Sequence, residues 1–518
     1  MSKAKSDGLF QLVKSLSRNE KRYFKLYVDS IGGNSPKKYT RLFDLIEQQE
    51  EFDEDKILAR EKSLKPSQLS NMKAHLYSKI LQSMRLYNQT AVVEIQIREL
   101  IDFAQLLLNK SLYEQCAQML LKAKKMASKI DNLELLLEIL KWEKRVLSQT
   151  VGRDNEKRVN RIIEDVQDVN TRINNINTFT NLSVKLNSLY KRMGFIRNKS
   201  DYNRVVELFD ASMPAYEENT LSLNEKINLY QLLVGYFFMI QNFEKGYNYA
   251  KKWVQIFDDN AAMIPSRLET YINSINNLMI AQYKLFKYYE FIETNKKLKA
   301  VRFTPGISLN ENIRLKLLKY TYVHQFNRYF MLGDFEQGVV LMNRIKPGLE
   351  LFANQLDNHS RIILYYKTAS LYFGNDNFNE AIQSLNRIIN ENEGTLREDV
   401  HSFARILNLI CHYELGNVDV IDYYIRSTYR FLLKKGDMHS FQRYILSFLK
   451  KLGTGITQEA LIKQFENLRT QLIPLEENPY EKRPFMYFDI ISWLESKIQK
   501  KRISTVIKEK AMKALEME

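Results

Sequence analysis

A short pattern that recurs every 40–47 residues between Val205 and Ile421 constrains the fold of this chain more than any other feature. Each copy has a turn, then an aromatic or aliphatic residue, then a small or apolar residue three places later. The clearest copies are LGDFEQG at 332–338 and NDNFNEA at 375–381. A unit of this length leaves about 17–20 residues for each of two helices after two short turns, as in helical solenoids. The pattern therefore predicts a stack of helix pairs.

Seven residues occupy the small or apolar position of this pattern, and we call them the corner residues. We expect the two helices of each pair to cross there. The corner residues are Cys116, Val205, Gly246, Phe291, Gly338, Ala381 and Ile421. The first two lie 89 residues apart, which fits two units. The missing unit would use helices at 133–147 and 155–170.

Two of the units resemble the tetratricopeptide repeat (TPR) family. In the first helix of the family's unit, three positions are usually large, small and aromatic. Here these positions are occupied by Tyr322, Phe326 and Tyr329 in one unit and by Tyr365, Ala369 and Tyr372 in the next. Phe326 departs from the small residue usual there, and the units exceed the family's length of about 34 residues. The resemblance covers about residues 100–440. It implies an all-α, right-handed superhelical α-solenoid that binds a peptide in its concave groove.

The chain is expected to have three parts. Residues 1–90 form an N-terminal helical module, residues 93–473 form a TPR-like α-solenoid of about eight pairs, and residues 474–518 form a C-terminal capping helix and a basic tail. The array should end at IPLEENPYEKRP (473–484), which has three prolines in twelve residues. We expect the capping helix at 485–499, with Trp493 packed on the stack, since the last pair of a solenoid exposes an apolar face. The chain has only 17 Gly and 9 Pro in 518 residues, which is typical of a helical protein.

Sequence patterns typical of catalysis are missing. The six histidines are dispersed and form no HExxH motif, and no phosphate-binding GxxxxGK[ST] loop occurs. The two cysteines, Cys116 and Cys411, lie within helical patterns and are expected to be buried. We therefore expect no enzyme activity, no cofactor and no metal. The chain has no apolar run long enough to cross a membrane, so we expect a cytoplasmic protein with no membrane partner.

The charge balance leaves a second interpretation open. The chain has 77 Lys and Arg against 61 Asp and Glu, a net charge of +16, which attracts anionic partners. Residues 53–85 are compatible with a helix-turn-helix whose second helix presents Lys73, Lys79 and Arg85. The alternative function is thus a nucleic-acid-associated protein, either an RNA- or ribosome-bound factor or a DNA-binding regulator. A row of basic residues on a solvated helix face would give the same pattern.

Asparagine and aromatic residues indicate where a partner would bind. The first helices of successive pairs form the concave wall of a solenoid. The polar candidates on that wall are Asn187, Asn228, Gln231, Asn273, Asn276 and Asn327. A row of side-chain amides can hold the backbone of an extended peptide, because each amide offers donors and an acceptor. The aromatic candidates for anchoring a protein or peptide partner are Tyr283, Phe330, Tyr366 and Phe373. Solvated surface and packing between pairs are the competing interpretations. Oligomeric state is left open.

Overall fold

The structure is a computed structural model that describes residues 8–30, 35–60, 66–90, 92–149, 155–304, 309–391, 397–451 and 457–518. In these ranges every regular element is helical and no strand occurs, which confirms the all-α class. The chain divides into two compact units, residues 1–171 and 172–518.

The described residues of the first unit form eight helices and the start of a ninth. They are α1 (Gly8–Ser15), α2 (Arg18–Ser30), α3 (Ser35–Glu47), α4 (Glu54–Arg60), α5 (Pro66–Tyr87), α6 (Val93–Asn109), α7 (Tyr113–Lys129), α8 (Leu133–Leu147) and α9 (Asn155–Met193). Two hydrophobic clusters form its core. One joins α1 to α5, where the ring centroids of Phe24 and Phe43 lie 4.8 Å apart. The other joins α6 to α8 around Leu120 and Ile139.

The second unit contains the end of α9 and fifteen further helices within its described residues. They are α10 (Lys199–Ser212), α11 (Leu223–Met239), α12 (Phe243–Asp259), α13 (Leu268–Lys284), α14 (Tyr288–Ala300), α15 (Glu311–Leu332), α16 (Phe335–Gln355), α17 (Asn358–Gly374), α18 (Phe378–Ile389), α19 (Glu398–Glu414), α20 (Val418–Lys435), α21 (Ser440–Lys451), α22 (Gln458–Glu477), α23 (Ile490–Gln499) and α24 (Ile503–Met517). From α11 to α24, most helices pack mainly on their neighbours in sequence, whereas α15 packs as closely on α13, α17 and α24. The core therefore extends from pair to pair.

One turn geometry recurs between helices in both units. A residue in the left-handed backbone region is followed by a residue whose N–H donates to the carbonyl five residues earlier, the pattern of a Schellman cap. The left-handed residues are Ser111, Asp131, Gln241, Phe286, Gly333, Asp376, Gly416, Gly436 and Lys500. Six of these turns lead into a helix with an expected corner residue. Of the others, the turn at Asp131 joins α7 to α8, which the sequence pattern had assigned to different pairs.

All seven corner residues are buried. Gly246 lies on α12 at its crossing with α11, and a Cβ atom added there would lie 2.6 Å from two ring carbons of Phe238. The space at Gly338 is similarly small, because an added Cβ would lie 2.7 Å from Cδ2 of Leu371. At these two positions the small residue is required by the close approach of a neighbouring side chain.

We expect Gly246→Ala to lower the free energy of unfolding by about 1–3 kcal/mol, because the added methyl overpacks the crossing with Phe238. Gly235→Ala is the matched control. Gly235 lies on the exposed side of α11 with no atom within 4 Å of an added Cβ, so Ala there should raise stability by about 0.5–1 kcal/mol. Urea denaturation of both variants measures the difference. Equal stability of the two variants would contradict a tight crossing.

The structure differs from the expected pairs at residues 155–193. The sequence pattern predicted a second helix that ends near residue 170, followed by a new pair. Instead, α9 runs without a break from Asn155 to Met193, a length of 39 residues. No Gly or Pro occurs in this stretch, so no residue interrupts the helical backbone.

The C-terminal part also differs from the expectation. Helix α22 continues through Pro474 to Glu477, and residues 478–489 then follow a non-helical path except for one 3-10 turn at Arg483–Met486. The capping helix begins at Ile490 instead of 485, and most of the expected basic tail forms α24. Trp493 is buried among aromatic rings, and its Nε1–H donates to Glu414 Oε1 at 2.6 Å.

Candidate functional site

A cavity of about 850 Å³ lies within the second unit. It is lined by α13, α15 and α17, by residues 478–489 and by α24. Small-molecule sites typically measure about 300–1,000 Å³ and combine apolar walls with a few polar groups. The cavity is thus large enough to hold a ligand.

Six of the ten predicted partner-binding residues line this cavity, and four do not. Those on its walls are Asn276, Tyr283, Asn327, Phe330, Tyr366 and Phe373. Of the others, Asn187 and Gln231 are exposed on α9 and α11. Asn228 donates to the carbonyl of Asn224 at 2.8 Å, and Asn273 accepts from the Tyr320 hydroxyl at 3.1 Å. The expected row of asparagines is therefore not brought together at one site.

The two asparagines at the cavity form hydrogen bonds with neighbouring side chains. His324 Nε2 lies 3.0 Å from Asn276 Oδ1, and Asn327 Nδ2 lies 3.3 Å from His324 Nδ1. Lys367 Nζ donates to Asn327 Oδ1 at 2.6 Å. Burial lowers the pKa of His324 to about 3, so the ring is neutral near pH 7. A tautomer protonated at Nε2 satisfies both contacts of the ring. These groups form one polar chain that ends at an ammonium group.

Two lysines at the cavity carry charge in a poorly solvated position. Burial lowers the pKa of Lys284 to about 7, with a further decrease from repulsion by Lys367, and burial lowers the pKa of Lys367 to about 8. Lys284 Nζ donates to the carbonyl of Met486 at 2.8 Å. Both ammonium groups flank Tyr283, at 5.2 and 5.4 Å from its ring centroid. No carboxylate among the described residues forms an ion pair with either lysine.

Sequence reasoning missed these lysines, although a signal was present. Each follows a cavity-lining tyrosine in a helix that was expected to form the concave wall: Tyr283–Lys284 in α13 and Tyr366–Lys367 in α17. A repeated Tyr–Lys pair in first helices could have indicated a shared site. It was overlooked because a lysine on a helix is most often solvated.

Residues 478–489 lie against the same two helices, α13 and α17. Phe488 packs edge-on against Phe373 with ring centroids 5.0 Å apart, and Phe485 packs against Phe441 at 5.6 Å. The Lys482 ammonium donates to the carbonyl of Gln241 at 3.1 Å. The segment thus contacts elements from the α11–α12 turn to α21.

A buried network holds the middle of this segment. Arg397 donates to both carboxylate oxygens of Asp399, at 2.9 and 2.8 Å. The Tyr487 hydroxyl also donates to Asp399, and its ring stacks on Phe403 at 4.6 Å. Burial acts to raise the pKa of Asp399, but the adjacent Arg397 guanidinium holds that pKa below its usual value. Asp399 is therefore a buried carboxylate whose charge is matched by Arg397.

A second buried ion pair joins the segment to the end of α20. Arg483 pairs with Asp437, and the two side chains are only 2% and 3% exposed. The Arg483 guanidinium also lies 5.5 Å from the ring centroid of Phe403. Two buried charge contacts and three aromatic rings thus fix the position of residues 478–489.

The basic residues of the nucleic-acid alternative lie on α5 in the first unit. Lys73 pairs with Glu54 and lies 4.8 Å from the ring centroid of Phe52. Lys79 donates to Gln82 at 3.1 Å, and Arg85 pairs with Asp102 at 3.2 Å. The expected turn of the helix-turn-helix includes residues 61–65, which lie outside the described residues. Two of the three basic groups thus have acidic partners.

The described residues contain no cluster of three or more His, Cys, Asp or Glu that could hold a metal ion. Cys116 and Cys411 are both buried and free, in agreement with the expectation of burial. None of the helices in the described part of the chain combines the length and the apolar character needed to cross a membrane.

No family model, no curated protein and no solved structure matches this chain. Its all-helical fold and the cavity of the second unit are therefore the observations from which a function can be argued.

Proposed function

We propose that this chain is a non-enzymatic protein-interaction scaffold, a right-handed superhelical α-solenoid of TPR-like pairs that binds a peptide or protein segment along its concave wall. The recurrent Schellman turn and the seven buried corner residues support the solenoid. Each pair presents its first helix to the same side in such an array, so α13, α15 and α17 would form adjoining parts of one binding surface.

The observation that carries this proposal is the position of residues 478–489. This segment is largely non-helical, and it lies against the predicted wall with its aromatic side chains packed on Phe373, Phe403 and Phe441. A backbone carbonyl of the segment accepts from Lys284, a residue of the wall. These are the contacts by which an aromatic peptide would bind, made here by the chain's own residues. A partner segment with similar side chains would use the same surface.

We favour peptide binding over nucleic-acid binding because of the charge contacts. Lys73 and Arg85 are already paired with Glu54 and Asp102, which reduces their attraction for phosphate. Nucleic-acid binding depends on unpaired basic groups that release counterions from the phosphate backbone. The net charge of +16 supports the alternative only as a general attraction.

A labelled synthetic peptide with the sequence of residues 478–489 tests the wall as a peptide-binding surface. The double variant Phe485→Ala/Phe488→Ala weakens the chain's own segment and leaves both buried ion pairs in place. We expect this variant to bind the peptide at least about tenfold more tightly than the unmodified chain, whose own segment competes at high effective concentration. Fluorescence anisotropy measures the affinities.

Two controls accompany this experiment. Phe303→Ala removes a phenylalanine that is 76% exposed and far from these contacts in sequence, and it should bind the peptide no better than the unmodified chain. A peptide with the same composition in scrambled order should not bind the double variant. If circular dichroism shows the double variant folded and it binds neither peptide, or binds both alike, the wall is not a sequence-selective peptide surface.

A further inference from the structure

The cavity has an excess of basic side chains over acidic ones. Its basic residues are Lys284, Lys319, Lys367, Arg397, Lys482 and Lys510, and its acidic residues are Glu476 and Asp489. Arg397 is neutralised by Asp399, and Lys510 by Glu495. Lys319 donates to the Ser360 hydroxyl at 3.1 Å, a neutral acceptor. The charge left without an opposite partner is therefore positive, and the cavity attracts anions.

Lys284 and Lys367 are the best placed of these basic groups. Both flank Tyr283, and Lys367 also lies 5.2 Å from the ring centroid of Phe330. An ammonium group has three N–H donors. Each of these two has one neutral acceptor in the described structure, Met486 O for Lys284 and Asn327 Oδ1 for Lys367. Further donors on two neighbouring ammonium groups are thus available to one ligand.

Burying a cation without an opposite charge costs free energy, and a bound anion removes that cost. An oxyanion between the two lysines would also relieve their mutual repulsion, since it accepts from both. The aromatic rings beside the lysines provide a surface for the rest of the ligand. Polar groups that fix orientation beside apolar walls are the arrangement expected of a small-molecule site.

We infer that this cavity binds a small ligand that carries an oxyanion, a carboxylate or a phosphate, on an aromatic or apolar body. The oxyanion accepts from Lys284 and Lys367, and the body packs against Tyr283 and Phe330. Residues 478–489 line the same cavity, so the space of about 850 Å³ suits a compact molecule while that segment is in place. This site goes beyond the proposed peptide binding and does not depend on it.

Three compact probes test the inference on the full chain: benzoate, phenyl phosphate and the neutral benzamide. Isothermal titration calorimetry is run at mildly acidic pH, where both lysines are charged because the pKa values of Lys284 and Lys367 are about 7 and 8. We expect at least one anion to bind and benzamide not to bind. The anion that binds with the higher affinity shows whether the site is better suited to a carboxylate or to a phosphate.

Lys284→Met and Lys367→Met should each weaken binding of that anion about tenfold or more, because each removes a charge-assisted hydrogen bond. Lys299→Met is the matched control. Lys299 is exposed at the end of α14 and does not line the cavity, so the same change in charge should leave the affinity unchanged. Thermal melting confirms that each variant is folded. Binding of benzamide as tight as that of the anions, equal affinity in all three variants, or no binding of either anion at millimolar concentration would overturn the inference.

Discussion

Asp399→Asn is expected to lower the free energy of unfolding by about 3–5 kcal/mol, which is the usual cost of removing one partner of a buried ion pair. Asn has nearly the shape of Asp, so the substitution removes charge without creating a cavity. It leaves the Arg397 guanidinium, which is 2% exposed, without an opposite charge beside it. It also weakens the acceptor for the Tyr487 hydroxyl. Urea denaturation followed by tryptophan fluorescence measures the loss, since Trp253 and Trp493 both lie in the second unit.

The backbone around Asp399 leaves little room for a compensating shift. A Cβ added to Gly194, which has a φ of +75°, would lie within 1.7 Å of an Asp399 carboxylate oxygen. Arg397 is itself tied to the end of α9, because its N–H donates to the Lys191 carbonyl at 2.9 Å. The end of α9, the start of α19 and Tyr487 therefore meet at one carboxylate.

Asp258→Asn is the matched control for this prediction. Asp258 pairs with Lys297 in the same unit, but the side chains are 29% and 47% exposed. Half-exposed pairs contribute about 0–1 kcal/mol, so the control should lose little stability. A loss of the same size in both variants, or a loss below about 1 kcal/mol for Asp399→Asn, would contradict a buried network that depends on this charge.

Arg483→Met is expected to cost about 3–5 kcal/mol as a single change, because it leaves Asp437 buried without its cation. Asp437→Leu should cost a similar amount by leaving the Arg483 guanidinium unpaired. The double variant should recover to within about 1 kcal/mol of the unmodified chain, since a buried ion pair and an apolar pair of similar volume are often equally stable. Denaturation of the four proteins gives the coupling energy of the pair.

An exposed arginine provides the control. Arg502 pairs weakly with Asp376, at 3.6 Å and with a side chain that is 79% exposed, so Arg502→Met should change stability by less than about 1 kcal/mol. If the changes at Arg483 and Asp437 are additive, the two side chains are not coupled, and their ion pair does not help to hold residues 478–489 in place.

The helix pairs could be predicted because their signals are local. The turn at Asp376 and the corner residue Ala381 lie five positions apart, within reach of a pattern in the chain. The same local reasoning failed at 155–193, where α9 continues without interruption. A pair boundary there was inferred from the average unit length, but helix termination depends on particular residues, and none occurs in that stretch.

The cavity could be predicted only in part. Tyr283, Phe330, Tyr366 and Phe373 were found because they recur at similar positions of successive first helices. The use of Asn276 and Asn327 in a hydrogen-bonded chain with His324 was not foreseen. Asn276 and His324 are 48 residues apart, and periodicity within a helix carries no information on which polar groups of different helices meet.

The sequence by itself determined the all-α class and the positions of most of the recurrent turns, because backbone hydrogen bonding and apolar periodicity act over a few residues. Only the tertiary structure decided that residues 478–489 lie on the predicted binding wall and that Lys284 and Lys367 face a cavity without a carboxylate partner. Lys482 contacts Gln241, which is 241 residues away in the chain, and Lys284 contacts Met486, which is 202 residues away. Contacts at such separations depend on how the whole array stacks, and no local pattern in the chain encodes them.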